Sequence, residues 1–302
     1  MSYRFVHSIK YLIRPIHRFL VVVGFFFTLI PVALAQRVPV QTGRGGMERI
    51  DQQEGARRLD AFRQQRLQGD YVFEFQLEHK PRRARTVRYQ GIMWGSWNEQ
   101  GAVTRFKIFA NEAGRAENQA LVELLVQNGP EPRAWIRRDP DAAMELVAGE
   151  AMFKPILPEL VYSVFDLQMP FIYWKNFIYE GPSLIGMSRV GQNFLMLPPQ
   201  GSQSAAQGIH GVRVALDDTY NALWRVEMVD ADDNVRSRFA VESFKKVQQQ
   251  YIVKKITLAE YPSKDRTTFE VMDASVGLEL DAALFQLPAE SPQHPAPGQS
   301  TR

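Results

Sequence analysis

From Asp70 onward the chain alternates: Tyr71, Phe73, Phe75 and Leu77 are apolar, and the residues between them, Val72, Glu74, Gln76 and Glu78, are mostly polar. Side chains of a strand point to opposite faces at successive residues, so a period of two marks one buried and one wetter face. Similar runs recur at about 86–97, 102–110, 120–127 and 132–138, and again at about 177–188, 190–198, 211–217, 222–230, 235–247, 250–261 and 266–276. Turn signals such as Asn128-Gly129-Pro130, Asp217-Asp218 and the stretch from Asp230 to Asn234 separate several of them. We read about eleven short-linked strands, an antiparallel meander too long for one flat open sheet. The pattern predicts a mainly β, α+β fold: a curved, half-open antiparallel β-barrel. No repeat of fixed period is visible, which argues against a propeller or solenoid.

Two segments depart from the alternation. Asp51 to Leu67 places Ala56, Leu59, Phe62, Arg63, Arg66 and Leu67 at helical spacing and ends at Gly69, which predicts one N-terminal amphipathic helix. Residues 139 to 175 form a central irregular lid: Ala142 to Met152 has the composition of a short helix, Pro155 and Pro158 forbid regular pairing, and Val161 to Trp174 is dense in large apolar groups. A long apolar insertion inside a meander usually covers something. Several strands also carry apolar groups on both faces, as with Ile92 and Trp94 against Met93 and Trp97, and so need a cover on each side.

The ends read differently. Arg14 and Arg18 precede 17 uncharged residues, Phe19 to Ala35, that close on Ala33-Leu34-Ala35, the order of a secretory signal cleaved after Ala35. We therefore expect a signal peptide at 1–35, a flexible leader at 36–49, one domain at 50–288 and a disordered Pro-rich tail at 289–302. The signal region also explains the basic appearance of the chain. Arg4, Lys10, Arg14 and Arg18 are four of its 36 basic residues, and the chain beyond Ala35 has 32 against 33 acidic ones, a poor basis for gripping nucleic-acid phosphates.

The usual signatures of catalysis are missing. There is no cysteine, hence no disulfide, thiol nucleophile or cysteine-held metal. His79, His210 and His294 stand alone, with no ligand-like partner nearby in sequence, and no nucleophile elbow, phosphate loop or dinucleotide fingerprint occurs. We expect no enzyme, metal or cofactor. Asp217 and Asp218 are the carboxylates a hydrolase reading would use, whereas Asp230, Asp232 and Asn234 read as a hairpin turn because the calcium-loop positions that should be Gly and Glu are Val235 and Val241. Arg82, Arg83 and Arg85 crowd a turn after Pro81, as an exposed hairpin tip or a contact for an anionic headgroup or partner.

Two stretches resemble a known family. The run from Phe165-Asp166-Leu167-Gln168-Met169-Pro170-Phe171-Ile172-Tyr173-Trp174 through Tyr179-Glu180-Gly181 and Ser188-Arg189-Val190-Gly191 to Leu197-Pro198-Pro199 is similar to the central block of outer-membrane lipoprotein-sorting proteins of the LolA-like superfamily. Val212 to Asp217, Ala222 to Glu227, Phe244-Lys245-Lys246-Val247 and the closing Leu280-Asp281 to Leu284-Phe285 resemble its C-terminal strands. The resemblance implies a half-open barrel with helices as a lid over a hydrophobic cavity that takes acyl chains of lipoproteins or other lipids in the periplasm. Strand parity and the resemblance together select Phe73, Phe75, Trp94, Phe106, Phe171, Tyr173 and Trp174 as cavity candidates, and Arg82, Arg83 and Arg85 as partner or headgroup contacts. The expected protein is a monomeric carrier that meets lipid or lipoprotein acyl chains and inner- or outer-membrane protein partners. The alternative is a periplasmic sensor or scaffold that works through a protein partner without moving lipid.

Overall fold

A computed structural model describes residues 47–185, 189–261 and 263–288. The expected signal peptide, most of the leader and the Pro-rich tail lie outside them. Among the described residues the alternating runs form thirteen strands: β1 (Asp70–Lys80), β2 (Val87–Asn98), β3 (Gly101–Phe109), β4 (Val122–Gln127), β5 (Arg133–Arg137), β6 (Glu145–Leu146), β7 (Phe177–Ile185), β8 (Arg189–Met196), β9 (Gly211–Asp217), β10 (Leu223–Val229), β11 (Val235–Val247), β12 (Gln250–Glu260) and β13 (Arg266–Leu278). They make one antiparallel sheet in the order β6-β5-β4-β3-β2-β1-β13-β12-β11-β10-β9-β8-β7. Two meanders, β1 to β6 and β7 to β13, thus meet where β1 pairs with β13. The sheet does not close: β6 and β7 are its edges.

That topology dictates the path of the central segment. Residues 147–176 link the two edge strands, so they must cross the open side of the curled sheet. Their apolar density follows from this. Leu157, Leu160, Tyr162, Phe165, Phe171 and Trp174 are buried in one cluster with Phe75 and Phe106 from the first meander and Phe194, Val214 and Phe239 from the second. A sharp start is provided by Ser163, which caps α3 (Val164–Gln168) and exchanges bonds with Asp166 in a capping box. The helix ends at Met169, which is left-handed at φ 48°, and Pro170 opens a 3-10 turn, Pro170–Tyr173. No helix forms over Ala142 to Met152: Leu146 pairs with Trp135 as part of β6, and Gly149 at φ 60° starts a 3-10 turn, Gly149–Phe153.

The N-terminal helix α1 is Gln52–Arg63, capped by the Asp51 side chain, which accepts from Glu54 N at 2.7 Å. Leu59 is fully buried, and Gly55 brings the helix to within 3.1 Å of the Phe194 ring, measured from where a Cβ would stand. Arg63 donates to the carbonyl oxygens of Ile172 (2.7 Å) and Trp174 (3.3 Å), which ties the helix to the central segment. It is shorter than its sequence pattern: Gln64 N bonds back to Asp60 O and Phe62 O, and Arg66 and Leu67 leave the helix to run toward β1.

Every residue of β4 is buried, so both of its faces are covered. Leu124 and Val126 face the main core; Leu125, with Val103 and Trp135, forms a second cluster beneath Phe285 and Leu287. The outer cover is therefore the C-terminal 3-10 turn, Ala282–Phe285, fixed by Arg105 Nε donating to Leu284 O at 2.6 Å.

Candidate functional site

The inner face of the sheet is not filled solid. A cavity of about 420 Å³ runs along β1, between β2 and β3 on one side and β11 to β13 on the other, roofed by residues 65–69 and by α3 with Met169. Its walls are almost wholly apolar. A hollow needs a reason when large aromatic residues surround it, and glycine supplies one. A Cβ on Gly91 would stand 2.1 Å from Phe75 Cζ, and one on Gly95 would stand 1.9 Å from Tyr71 Cζ. Both β1 rings therefore lie over bare β2 backbone instead of standing up into the space. Gly91→Ala is expected to push the Phe75 ring into the hollow and cost about 1–3 kcal/mol, read as a lower urea midpoint; Phe75→Leu in the same chain should restore most of it, and an unshifted single variant would refute the account.

The cavity collects some of the selected residues and not others. Phe73, Phe75 and Phe106 border it. Trp94 stands on the other face of β2, because the residue facing both Phe73 and Phe106 is Met93, whereas Trp94 pairs with Val72 and Arg105. One position along a strand reverses the face. Phe171 and Trp174 pack edge to face at 6.3 Å in the solid core near α1, with Tyr173 beside them, and none of the three borders this cavity. Met93, Trp97, Phe269 and the pair Tyr162 and Asp166 border it without having been singled out. Met93 and Trp97 share the parity of Gly91 and Gly95, but which parity of β2 turns inward is decided by its register with β1. For Tyr162 and Asp166 no local signal existed, since only the crossing of the central segment brings them to the strands.

Asp166 is the acid at this site. Burial pushes its carboxyl up to about 6, although bonds from the Ser163 hydroxyl (2.5 Å) and amide (2.8 Å) favour the charged form. The folded carboxyl holds its proton more tightly than the unfolded one at 3.8, so between these values the folded chain binds more protons. The contribution of this group is complete below pH 3.8 and lost as pH rises through 6, on the order of 2–3 kcal/mol. Asp166→Asn has no proton to lose. Urea unfolding at pH 4 and pH 7.5 should show the variant gaining on the parent by about 2 kcal/mol across that span; parallel profiles would refute the raised value.

The cavity opens beside exposed Gln65, Arg66 and Tyr251. The Arg66 guanidinium lies over the Trp97 ring at 5.8 Å. At the opposite end of β1, Arg82, Arg83 and Arg85 are exposed in the β1–β2 hairpin, and among the described residues none forms an ion pair; Arg82 only donates its amide to Asp265 Oδ1 at 2.7 Å. The two carboxylates of a hydrolase reading are occupied structurally. Asp217 pairs with Arg189 at 2.8 Å and accepts from the amides of Thr219 and Tyr220, and Asp218 pairs with Arg58 at 2.6 Å. Asp230 accepts from the amides of Asp232 and Asn234, as a hairpin turn requires. Among the described residues no cluster of His, Asp or Glu could hold a metal ion.

No family model and no curated protein matches the sequence. Solved structures do match the fold. A putative outer-membrane lipoprotein-sorting protein domain from Vibrio parahaemolyticus superposes with a TM-score of 0.64 at 12% identity, over 77% of this chain and 94% of that one. A DUF1329 family protein from Desulfovibrio piger gives 0.63 at 11%, over 77% and 95%. A LolA superfamily protein from Nitrosomonas europaea gives 0.56 at 10%, over 79% and 98%. With nearly the whole of each of these proteins laid over its open sheet, this chain has the LolA-like fold.

Proposed function

We propose that this protein is a non-enzymatic periplasmic carrier that binds lipid or lipoprotein acyl chains in the cavity and serves outer-membrane lipoprotein sorting. The observation that carries the reading is the apolar hollow of about 420 Å³. A cavity of roughly 150 Å³ accepts a six-carbon ring, so this one has room for on the order of fifteen carbons. At about 0.8 kcal/mol per CH₂, a chain of that length gains on the order of 12 kcal/mol on leaving water, and a flat patch could not replace that burial. Phe73, Phe75 and Phe106 form the wall, and the central segment is the lid. The fold supports the reading through its likeness to the Vibrio sorting domain. Purification from a bacterial periplasm followed by mild solvent extraction and mass spectrometry tests it: bound lipid in near-stoichiometric amount is expected, and repeated lipid-free preparations that also fail to bind an apolar fluorophore would overturn it.

A second reading rests on the arginines of the β1–β2 hairpin, which form no ion pair among the described residues and fit an acidic protein partner without lipid transport. Changing Arg82, Arg83 and Arg85 to Glu should abolish a stable partner complex under that reading and leave lipid content unchanged. Loss of lipid with an intact complex would reject it.

A further inference from the structure

Among the described residues two charged side chains border the cavity, Arg66 and Asp166. They stand far apart. Asp166, on α3, also borders a small gap beside Leu258, and Leu258 is seven residues along β12 from Tyr251 at the mouth, roughly 20 Å at the rise of a strand. Arg66 is at the mouth, and its neighbours in the chain hold it there. Gln65 Nε2 donates to Tyr220 O at 3.3 Å, and Leu67 packs against the cluster of Phe73 and Val271. The Gln250 amide brackets the backbone of Gln68, accepting from its N–H at 2.6 Å and donating to its carbonyl at 3.2 Å. The Arg66 guanidinium is exposed over the Trp97 ring, and among the described residues it forms neither a hydrogen bond nor an ion pair. The acids flanking it in sequence are committed elsewhere: Asp60 pairs with Arg63 at 2.7 Å, and Asp70 accepts from Leu280 N at 2.7 Å. A second cation stands at the same opening. Lys246 Nζ lies 5.9 Å from the centre of the Tyr251 ring, exposed and without an ion pair among the described residues.

We infer that the cavity takes a single-chain amphiphile with an anionic head, its chain in the hollow and its head at the mouth on Arg66 and Lys246. The inference rests on the carrier reading and narrows it to one class of ligand. A single chain follows from size: about 420 Å³ has room for on the order of fifteen carbons, so a second chain would stay in water. The charge follows from the rim. An arginine fork offers parallel N–H donors to a carboxylate or phosphate, and the ring beneath it keeps water from one side, which strengthens the contact. A neutral alcohol would leave both cations unmatched, and an ammonium would meet like charge. The reverse orientation is barred to an anion, because among the described residues the charged group bordering the cavity away from the mouth is an acid, Asp166. Carboxylate and phosphodiester heads share this chemistry.

Probes with one chain length and different heads test this: dodecanoate, dodecanoyl lysophosphatidylglycerol, dodecan-1-ol and dodecyltrimethylammonium, each displacing a bound apolar fluorophore below its micelle threshold. The parent protein should bind at least one of the two anions about tenfold tighter than the alcohol or the ammonium, and calorimetric titration should count one chain per protein. Changing Arg66 and Lys246 together to Gln should erase that preference and leave the alcohol within about twofold, and Arg66→Glu should place the ammonium above the anions. A loss confined to dodecanoate supports the inference with a carboxylate head, and a loss confined to the lysophospholipid supports it with a phosphodiester. Both side chains are exposed and unpaired among the described residues, so the variants should melt as the parent does. If the double variant weakens all four probes equally, if the parent shows no preference for an anion, or if two chains bind, this inference falls while the carrier reading stands. If none of the four displaces the fluorophore from the parent, the carrier reading itself falls.

Discussion

Val253→Trp should reduce the affinity for an acyl chain more than tenfold with almost no change in melting temperature. Val253 borders the cavity from β12 and is only partly buried. In a close-packed core the added volume of an indole costs about 1–3 kcal/mol, because neighbours must leave their rotamers. Here the ring enters space that is already empty and gains apolar burial there, so the two effects roughly cancel. A domain of this size loses about 2–4 °C per kcal/mol, and a shift within about 2 °C is expected. Val253→Ala, which widens the hollow, should bind as the parent does. Calorimetric titration with a soluble fatty acid reads the affinity, and scanning calorimetry reads the melting. Unchanged affinity in the Trp variant would show that acyl chains, if bound at all, sit elsewhere.

The contrast between filled and hollow interior is also what limits a reading from sequence. Alternation in β1 told which residues face inward, and it told this correctly for Phe73 and Phe75, because period two is a local property. It did not tell which residue of β2 faces them. That depends on register, set by the turn at 81–86, and Trp94 falls one position to the wrong side of Met93. The central segment was legible as a cover because its prolines and apolar density admit no strand. Whether its aromatics close a core or line a void was not, since Phe171 and Trp174 carry the same signal in either case. The extra strand β6 is two residues long and exists only because Leu146 meets Trp135, a contact with no local pattern. Gly91 and Gly95 were visible in the sequence, yet their meaning came from the rings laid over them.

Phe165→Ala should unfold the lid before it unfolds the barrel. Phe165 is 1% exposed and touches the rings on either side of it in the chain's path: Phe153 at 4.8 Å, Phe171 at 5.7 Å and Trp174 at 6.5 Å. It joins the 3-10 turn at 149–153, helix α3 and the 3-10 turn at 170–173 into one unit, so removing it takes a partner from each at once. Truncating a buried Phe costs about 3–5 kcal/mol, and at about 2–4 °C per kcal/mol the melting temperature should fall on the order of 10 °C. The loss is not uniform. The backbone bonds of the sheet are untouched, whereas α3 has five residues and cannot persist without packing. Hydrogen exchange should therefore speed up by at least tenfold over 150–176 with little change in β1, β12 and β13. Because the roof of the cavity is part of that unit, acyl chains should leave the variant faster as well. Equal acceleration in strands and lid would mean that the segment and the sheet unfold together, and that the lid has no independence from which to open.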